Sequence, residues 1–78
     1  MTTANQIKTW FEQASADGCT HMLMVCDTFD WEDYPVPCKT LEEAEKLIGD
    51  PGVMQRVMEV YKISLGWEAQ AVGRAWNL

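Results

Sequence analysis

The stretch that decides the fold is Thr20-His-Met-Leu-Met-Val-Cys-Asp27. It is apolar at nearly every position rather than at alternate positions, and it is too short and too abruptly bounded for a helix. Such a run is typical of a central strand that is buried on both faces. The rest of the chain should therefore supply neighbouring strands and covering helices.

A helix is predicted before this strand, from about Thr3 to Asp17. Thr3 and Gln6 have the spacing of a capping box. Gly18 is suited to end the helix because glycine adopts positive φ readily. The apolar residues with the i, i+3, i+4, i+7 period of one helix face are Ile7, Trp10, Phe11 and Ala14.

After the central strand, residues 28 to 34 are predicted to form a loop, and Tyr34-Pro-Val-Pro-Cys-Lys39 a second strand. Pro37 biases Val36 toward extended geometry. Pro35 and Pro37 both lack an N–H donor, which favours a position at the edge of the sheet. The two strands and their loop form a β-hairpin.

A second helix is predicted from about Leu41 to Ile48, with Thr40 and Glu43 as its capping box. Residues 53 to 65 fit either a helical apolar stripe or a strand. Residues 57 to 63 are rich in β-branched and aromatic side chains, and a lone hairpin is marginal without a third strand. We therefore favour a strand over about residues 56 to 64, followed by a short helix or turn near residues 68 to 72.

Together these elements predict one α+β domain spanning residues 1–78. Its three-stranded sheet has the order 2-1-3, with the third strand parallel to the edge strand. Two helices are expected on one face, with a short C-terminal helix or turn.

The net charge of −6 has a single origin in the sequence. Residues 9 to 38 contain six acids and no Lys or Arg, and the six acids elsewhere are balanced by all six bases. Four of the acids lie between Asp27 and Asp33. A negative surface repels a phosphate backbone and attracts basic proteins, so direct nucleic-acid binding is disfavoured. The alternative is a solvated acidic loop that only aids solubility.

The three cysteines, Cys19, Cys26 and Cys38, are an odd number, and the first residues lack the basic and apolar regions of a secretory signal. These features favour reduced thiols in a host-cell cytoplasm. The apolar runs are too short to span a membrane, so no membrane association is expected.

No catalytic or metal-binding motif emerges. Cys19 and His21 are the one close pair of thiol and imidazole, and their spacing is not that of a zinc site. The acids of residues 27 to 33 do not follow the order of a calcium loop. We predict no cofactor, no bound metal and no enzymatic activity.

The loop between the first two strands carries the candidate binding site. Aromatic side chains are enriched at interface hot spots, and surrounding acids steer a basic partner. Phe29 and Tyr34 could instead cap the core, whereas Trp31 is harder to bury in the middle of the loop. The predicted partner-binding residues are Asp27, Phe29, Asp30, Trp31, Glu32, Asp33 and Tyr34.

Two segments resemble a group of short hypothetical proteins of phages and mobile elements. The first is Thr20-His-Met-Leu-Met-Val-Cys-Asp-Thr-Phe-Asp30 with Glu32-Asp-Tyr-Pro-Val36, and the second is Met54-Gln-Arg-Val-Met-Glu-Val-Tyr61. The chain departs from the group at Pro37-Cys38, where a longer Val-rich strand is typical. The group has no assigned activity, so no functional residues carry over. The resemblance implies a phage context, in which small acidic proteins often inhibit host defence machinery stoichiometrically, as anti-CRISPR proteins do.

Three functional hypotheses follow. The first is an inhibitor that binds a basic host protein, such as a nucleic-acid-binding effector, through the acidic aromatic loop. The second is a protein that sequesters a small molecule or nucleotide, with Trp31 and Tyr34 stacking on a base. The third is an enzyme or metalloprotein that uses Cys19 and His21.

Overall fold

The computed structural model describes residues 3–73 and 75–78. Its elements, in chain order, are α1 (Ala4–Ala16), β1 (His21–Asp27), β2 (Glu32–Cys38), α2 (Leu41–Gly49), β3 (Gln55–Lys62) and α3 (Trp67–Val72). The segment that fitted either a helix or a strand is therefore the strand β3. The short C-terminal element is a helix.

The three strands form one sheet in the order β2-β1-β3. Both outer strands are antiparallel to β1 and hence parallel to each other. This confirms the predicted order, strand directions and α+β class.

The central strand is buried on both faces, as its apolar run predicts. Met22 belongs to a cluster with Phe11 of α1 and Tyr61 of β3. The next residue, Leu23, belongs to a second cluster with Ala44 of α2. Adjacent residues of a strand point to opposite faces of the sheet. The helices α1 and α2 therefore cover opposite faces, and the prediction that both lie on one face is wrong.

The prolines of β2 lie where a missing N–H is harmless. The backbone N–H and C=O of Val60 on β3 point away from β1, because they form hydrogen bonds with residues 75 and 77. Its partner Leu23 therefore directs its own backbone groups toward β2. The neighbouring positions on β2, Pro35 and Pro37, then face outward at the open edge of the sheet. Strand addition at this edge is disfavoured because neither proline has a donor to offer.

The outer edge of β3 is partly covered by the C-terminal segment. Val60 forms a parallel bridge with Trp76, and its amide N–H donates to the Ala75 carbonyl oxygen at 2.8 Å. Lys62 is the next residue of β3 whose backbone N–H and C=O point away from β1. The buried side chain of Gln70 in α3 accepts from the Lys62 N–H at 2.8 Å and donates to the Lys62 carbonyl oxygen at 3.0 Å. These bonds satisfy backbone groups that a bare edge would leave open.

The predicted capping box is complete at α1, whereas at α2 only the half made by the Thr40 hydroxyl is formed, because Glu43 accepts from Lys39 rather than from Thr40. The Thr3 hydroxyl accepts from the Gln6 N–H, and the Gln6 side chain accepts from the Thr3 N–H. The Thr40 hydroxyl accepts from the Glu43 N–H at 3.1 Å, while the Glu43 carboxylate accepts from the N–H of Lys39. Local sequence therefore determines where α1 and α2 begin.

Candidate interaction surface

The hairpin loop that joins β1 to β2 spans residues 28–31, shorter than the predicted loop of residues 28 to 34 because β2 begins at Glu32. Two carboxylates hold it, one at the end of β1 and one within the loop. Asp27 Oδ1 accepts the Phe29 N–H at 2.9 Å, and Asp30 Oδ1 accepts the Glu32 N–H at 3.1 Å. The Trp31 N–H donates to the Asp27 carbonyl oxygen at 2.7 Å and closes the turn. Short acidic side chains suit such turns because they bond to the backbone two residues ahead. Asp27 and Asp30 thus combine a structural role with their charge.

This loop projects aromatic side chains into solvent. Phe29 is 76% exposed and Trp31 71% exposed. The exposure of Trp31 agrees with the expectation that it is hard to bury, whereas the alternative in which Phe29 caps the core is wrong. Tyr34 lies on β2 opposite Val25, and its hydroxyl donates to the Gln55 side chain on β3. The Tyr34 ring is therefore fixed across the end of the sheet.

Trp31 also has an uncommon backbone conformation. Its φ is +61°, in the left-handed region that glycine and asparagine usually occupy. A large side chain there costs on the order of 1 kcal/mol, and strain of this kind concentrates at functional sites. The turn would be easier to form with glycine, so folding does not account for tryptophan at this position.

A second loop, residues 50 to 54 between α2 and β3, lies beside the hairpin loop. The Thr28 N–H and hydroxyl both donate to the Met54 carbonyl oxygen, at 2.8 Å and 3.1 Å. Val53 is 90% exposed and Met54 49% exposed, and Met54 has a φ of +59°. We refer to residues 27–34 and 50–54 together as the two-loop surface.

Sequence reasoning missed Val53 and Met54 as candidate contact residues. The signal that identifies them is topological. In a sheet of order 2-1-3, the loop leaving β1 and the loop entering the antiparallel strand β3 lie at the same end. The predicted strand order could therefore have placed the two loops together.

Acidic residues are interspersed with the apolar residues along both segments of the two-loop surface. Asp27, Asp30, Glu32 and Asp33 come from the hairpin, and Asp50 from the second loop. Asp33 lies opposite Cys26, whose other cross-strand neighbour is Arg56. Four of these acids lie within residues 27–33, the segment that also carries the exposed Phe29 and Trp31, so the surface combines apolar groups with negative charge.

Ionisation of three thiol and phenol groups is suppressed: Cys26 and Tyr34 lie near the two-loop surface, and Cys38 lies at the far end of β2. Burial, together with a hydrogen bond to Asp33 and its charge, raises the pKa of the Cys26 thiol. Desolvation, followed by the charge of Asp27, raises the pKa of Tyr34. Burial and the charge of Glu43 raise the pKa of Cys38. Since the thiolate is the nucleophilic form of cysteine, these two thiols are poor nucleophiles near neutral pH.

Cys19 and His21, the residues of the third hypothesis, lie at the opposite end of β1. Cys19 is buried in the cluster with α1. The buried His21 ring has Nδ1 at 2.8 Å from the Thr20 hydroxyl and Nε2 at 3.4 Å from the Leu78 main-chain oxygen. Across residues 3–73 and 75–78, no three His, Cys, Asp or Glu side chains are grouped so as to hold a metal ion.

Two depressions lie away from the two-loop surface or only touch its margin. One, of about 320 Å³, lies between α2 and β2 and reaches Asp50. The other, of about 470 Å³, is lined by residues that include His21 and Lys62. Neither is lined by Trp31 or Tyr34, so the rings assigned to base stacking in the second hypothesis stand outside these two depressions.

Within the described residues, no helix has the length and apolar character needed to cross a membrane.

Comparisons with known proteins leave the surface to be interpreted on its own chemistry. No protein-family model, curated protein or solved structure matches this chain.

Proposed function

We propose that this chain is a small binding protein that inhibits a basic host protein stoichiometrically. The observation that carries the proposal is Trp31, 71% exposed, held at positive φ and flanked by Asp30 and Glu32. Contact runs through the acidic aromatic loop, with Asp27, Asp33, Phe29 and Tyr34 around Trp31.

The chemistry of the loop supports a protein partner. Tryptophan and tyrosine are enriched among the residues that dominate binding energy at interfaces. Carboxylates around such residues accelerate association with a basic surface and repel acidic competitors. Direct binding to nucleic acid is disfavoured by the same charge.

The resemblance to short phage and mobile-element proteins suggests the biological setting. In that setting the partner is a component of host defence, such as a nucleic-acid-binding effector of a CRISPR system, acting in the host cytoplasm. The small size of the domain fits an inhibitor that acts by occupying a surface rather than by catalysis.

Capture from a bacterial host lysate at low salt tests the proposal, because screening weakens an electrostatic complex. The test variant is Asp30→Asn, Trp31→Ala. Asparagine keeps the side-chain oxygen that accepts from Glu32, so the charge changes while the loop bond remains. The matched control is Asp17→Asn, Trp76→Ala, which makes the same changes at exposed positions outside the loop.

The expected result is recovery of one basic protein by the wild type and the control, with at least about a ten-fold loss for the test variant. Circular dichroism of both variants checks that the fold is intact. Equal recovery by the test variant and the control would contradict the proposal. Stabilisation by free nucleotides in a thermal-shift screen, with no protein captured, would favour the sequestering hypothesis instead.

A further inference from the structure

We infer that the partner also contacts the loop between α2 and β3, and that Val53 and Met54 enter an apolar recess bordered by Lys and Arg on a basic protein. This inference rests on the proposed function and specifies the partner of the same surface. It adds residues that lie more than 20 positions from the hairpin loop in sequence.

The two loops are joined by hydrogen bonds. Thr28 donates twice to the Met54 carbonyl oxygen, and the Tyr34 hydroxyl donates to Gln55, the residue after Met54. A partner seated on Trp31 therefore meets the second loop at a fixed position. Such preorganisation reduces the entropy lost on binding.

The apolar groups of the second loop lie outside the two buried clusters of the core. Val53 is 90% exposed, and Met54 is about half exposed despite its length. Met54 is held at positive φ, as Trp31 is, so both loops present a large side chain where glycine would fit more easily. Methionine suits a contact surface because its flexible, polarisable side chain adapts to the shape of a recess.

The negative charge of the two-loop surface favours a basic protein as the partner. Both loops carry acids next to their apolar residues in sequence, from Asp27 to Asp33 and at Asp50. A second copy of the chain would bring like charges together, and a nucleic acid or an anionic membrane would be repelled. A protein with basic groups around an apolar recess complements both the apolar groups and the acids.

The two kinds of residue should affect different steps of binding. Charged groups at the border mainly set the association rate and its salt dependence, whereas groups buried at the centre mainly set the dissociation rate. Val53 and Met54 belong to the second kind. A purely structural role for the loop would not separate these two rates.

A photo-crosslinking residue, p-benzoylphenylalanine, tests this placement when it is introduced at position 31, 53 or 72 of the full chain. Val72 is the matched control for Val53, because it is a valine with 89% exposure and lies on α3 outside the two-loop surface. Each chain is irradiated in host lysate at low salt, and the adducts are identified by mass spectrometry. We expect positions 31 and 53 to label the same basic protein and position 72 to leave it unlabelled.

Kinetics with that labelled protein, purified, complete the test. Val53→Ser should speed dissociation about five-fold or more and leave the salt dependence of association unchanged, while Val72→Ser changes neither. Labelling from position 31 alone, or equal dissociation of the two serine variants, would overturn the inference and leave the proposed function standing. Labelling of a second copy, or of no protein from either loop, would overturn both.

Discussion

Thr28 donates both its amide N–H and its hydroxyl to the carbonyl oxygen of Met54, at 2.8 Å and 3.1 Å. The hydrogen bond from the amide N–H lies just beyond the paired residues of β1 and β3, and the hydrogen bond from the hydroxyl adds a side-chain link between the two loops. A single threonine thus connects the hairpin loop to the loop that enters β3.

Replacing Thr28 by valine should weaken this link without removing it. Valine keeps the shape of the side chain and the hydrogen bond from the amide N–H, but it lacks the hydroxyl donor. The free energy of unfolding should therefore fall by about 0.5–1 kcal/mol. Urea denaturation measures this change. Thr28→Ser, which retains the hydroxyl, should lose less stability than Thr28→Val; if the two variants cannot be distinguished from each other, the hydroxyl bond contributes nothing.

Trp31→Gly should stabilise the fold while it abolishes partner capture. Glycine relieves the strain at φ +61°, and after its own entropic cost the gain should be about 1 kcal/mol or less. In a domain of this size a gain of 1 kcal/mol raises Tm by roughly 4–8 °C. The control is Phe29→Gly in the same loop, where φ is not positive and no gain is expected. A lower Tm for Trp31→Gly than for wild type would refute the assignment of strain.

Gln70→Leu should be strongly destabilising. The Gln70 side chain is 6% exposed; it accepts from the Lys62 N–H and donates to the carbonyl oxygens of Lys62, Leu65 and Gly66. Leucine fills a similar volume but leaves these groups without a partner, at a cost of about 1–3 kcal/mol for each buried one. Denaturant unfolding should show a loss of at least about 2 kcal/mol. Gln13→Leu on the exposed side of α1 is the control. A loss of stability of similar size in that variant would show that the hydrogen bonds of Gln70 are not the cause.

Stability should fall at alkaline pH because of Tyr61. Its ring packs edge-on against Phe11 with centroids 6.4 Å apart, and its hydroxyl donates to the Glu59 carboxylate. Burial first, and then the bond to Glu59 and its charge, raise the pKa of Tyr61 well above its ordinary value of about 10. The unfolded chain then releases this proton above about pH 10 while the folded chain retains it, so the free energy of unfolding decreases as pH rises.

Urea denaturation at intervals from pH 8 to pH 11 checks this sign. Tyr61→Phe should show a shallower decline than wild type above pH 10, with the remaining slope arising from groups such as Cys26 and Cys38, whose pKa values are also raised. Tyr34→Phe, at a much more exposed position, should change the slope less. Parallel curves for wild type and Tyr61→Phe would show that Tyr61 is not responsible.

Local patterns in the sequence were sufficient to identify the elements other than β3, whose segment fitted a helix as well as a strand. The capping box at Thr3, the apolar period of α1 and the unbroken apolar run of β1 each depend on neighbouring residues, so each can be recognised without the fold. Prolines 35 and 37 identified the edge strand, because a missing N–H restricts a strand wherever it lies. The position of the negative charge and the exposure of Trp31 were also predictable from the residues around them.

Only the tertiary structure decided which surfaces meet. Met22 and Leu23 are both fully buried, under α1 and α2 respectively, and the period of each helix does not say which face of the sheet it covers. Residue 54 lies next to residue 28 because the crossover through α2 returns the chain to the same end of the sheet. Sequence therefore determined the elements other than β3, together with the charge of this protein. The two exposed loops lie side by side because of long-range packing, which the spacing of residues within each loop does not reveal.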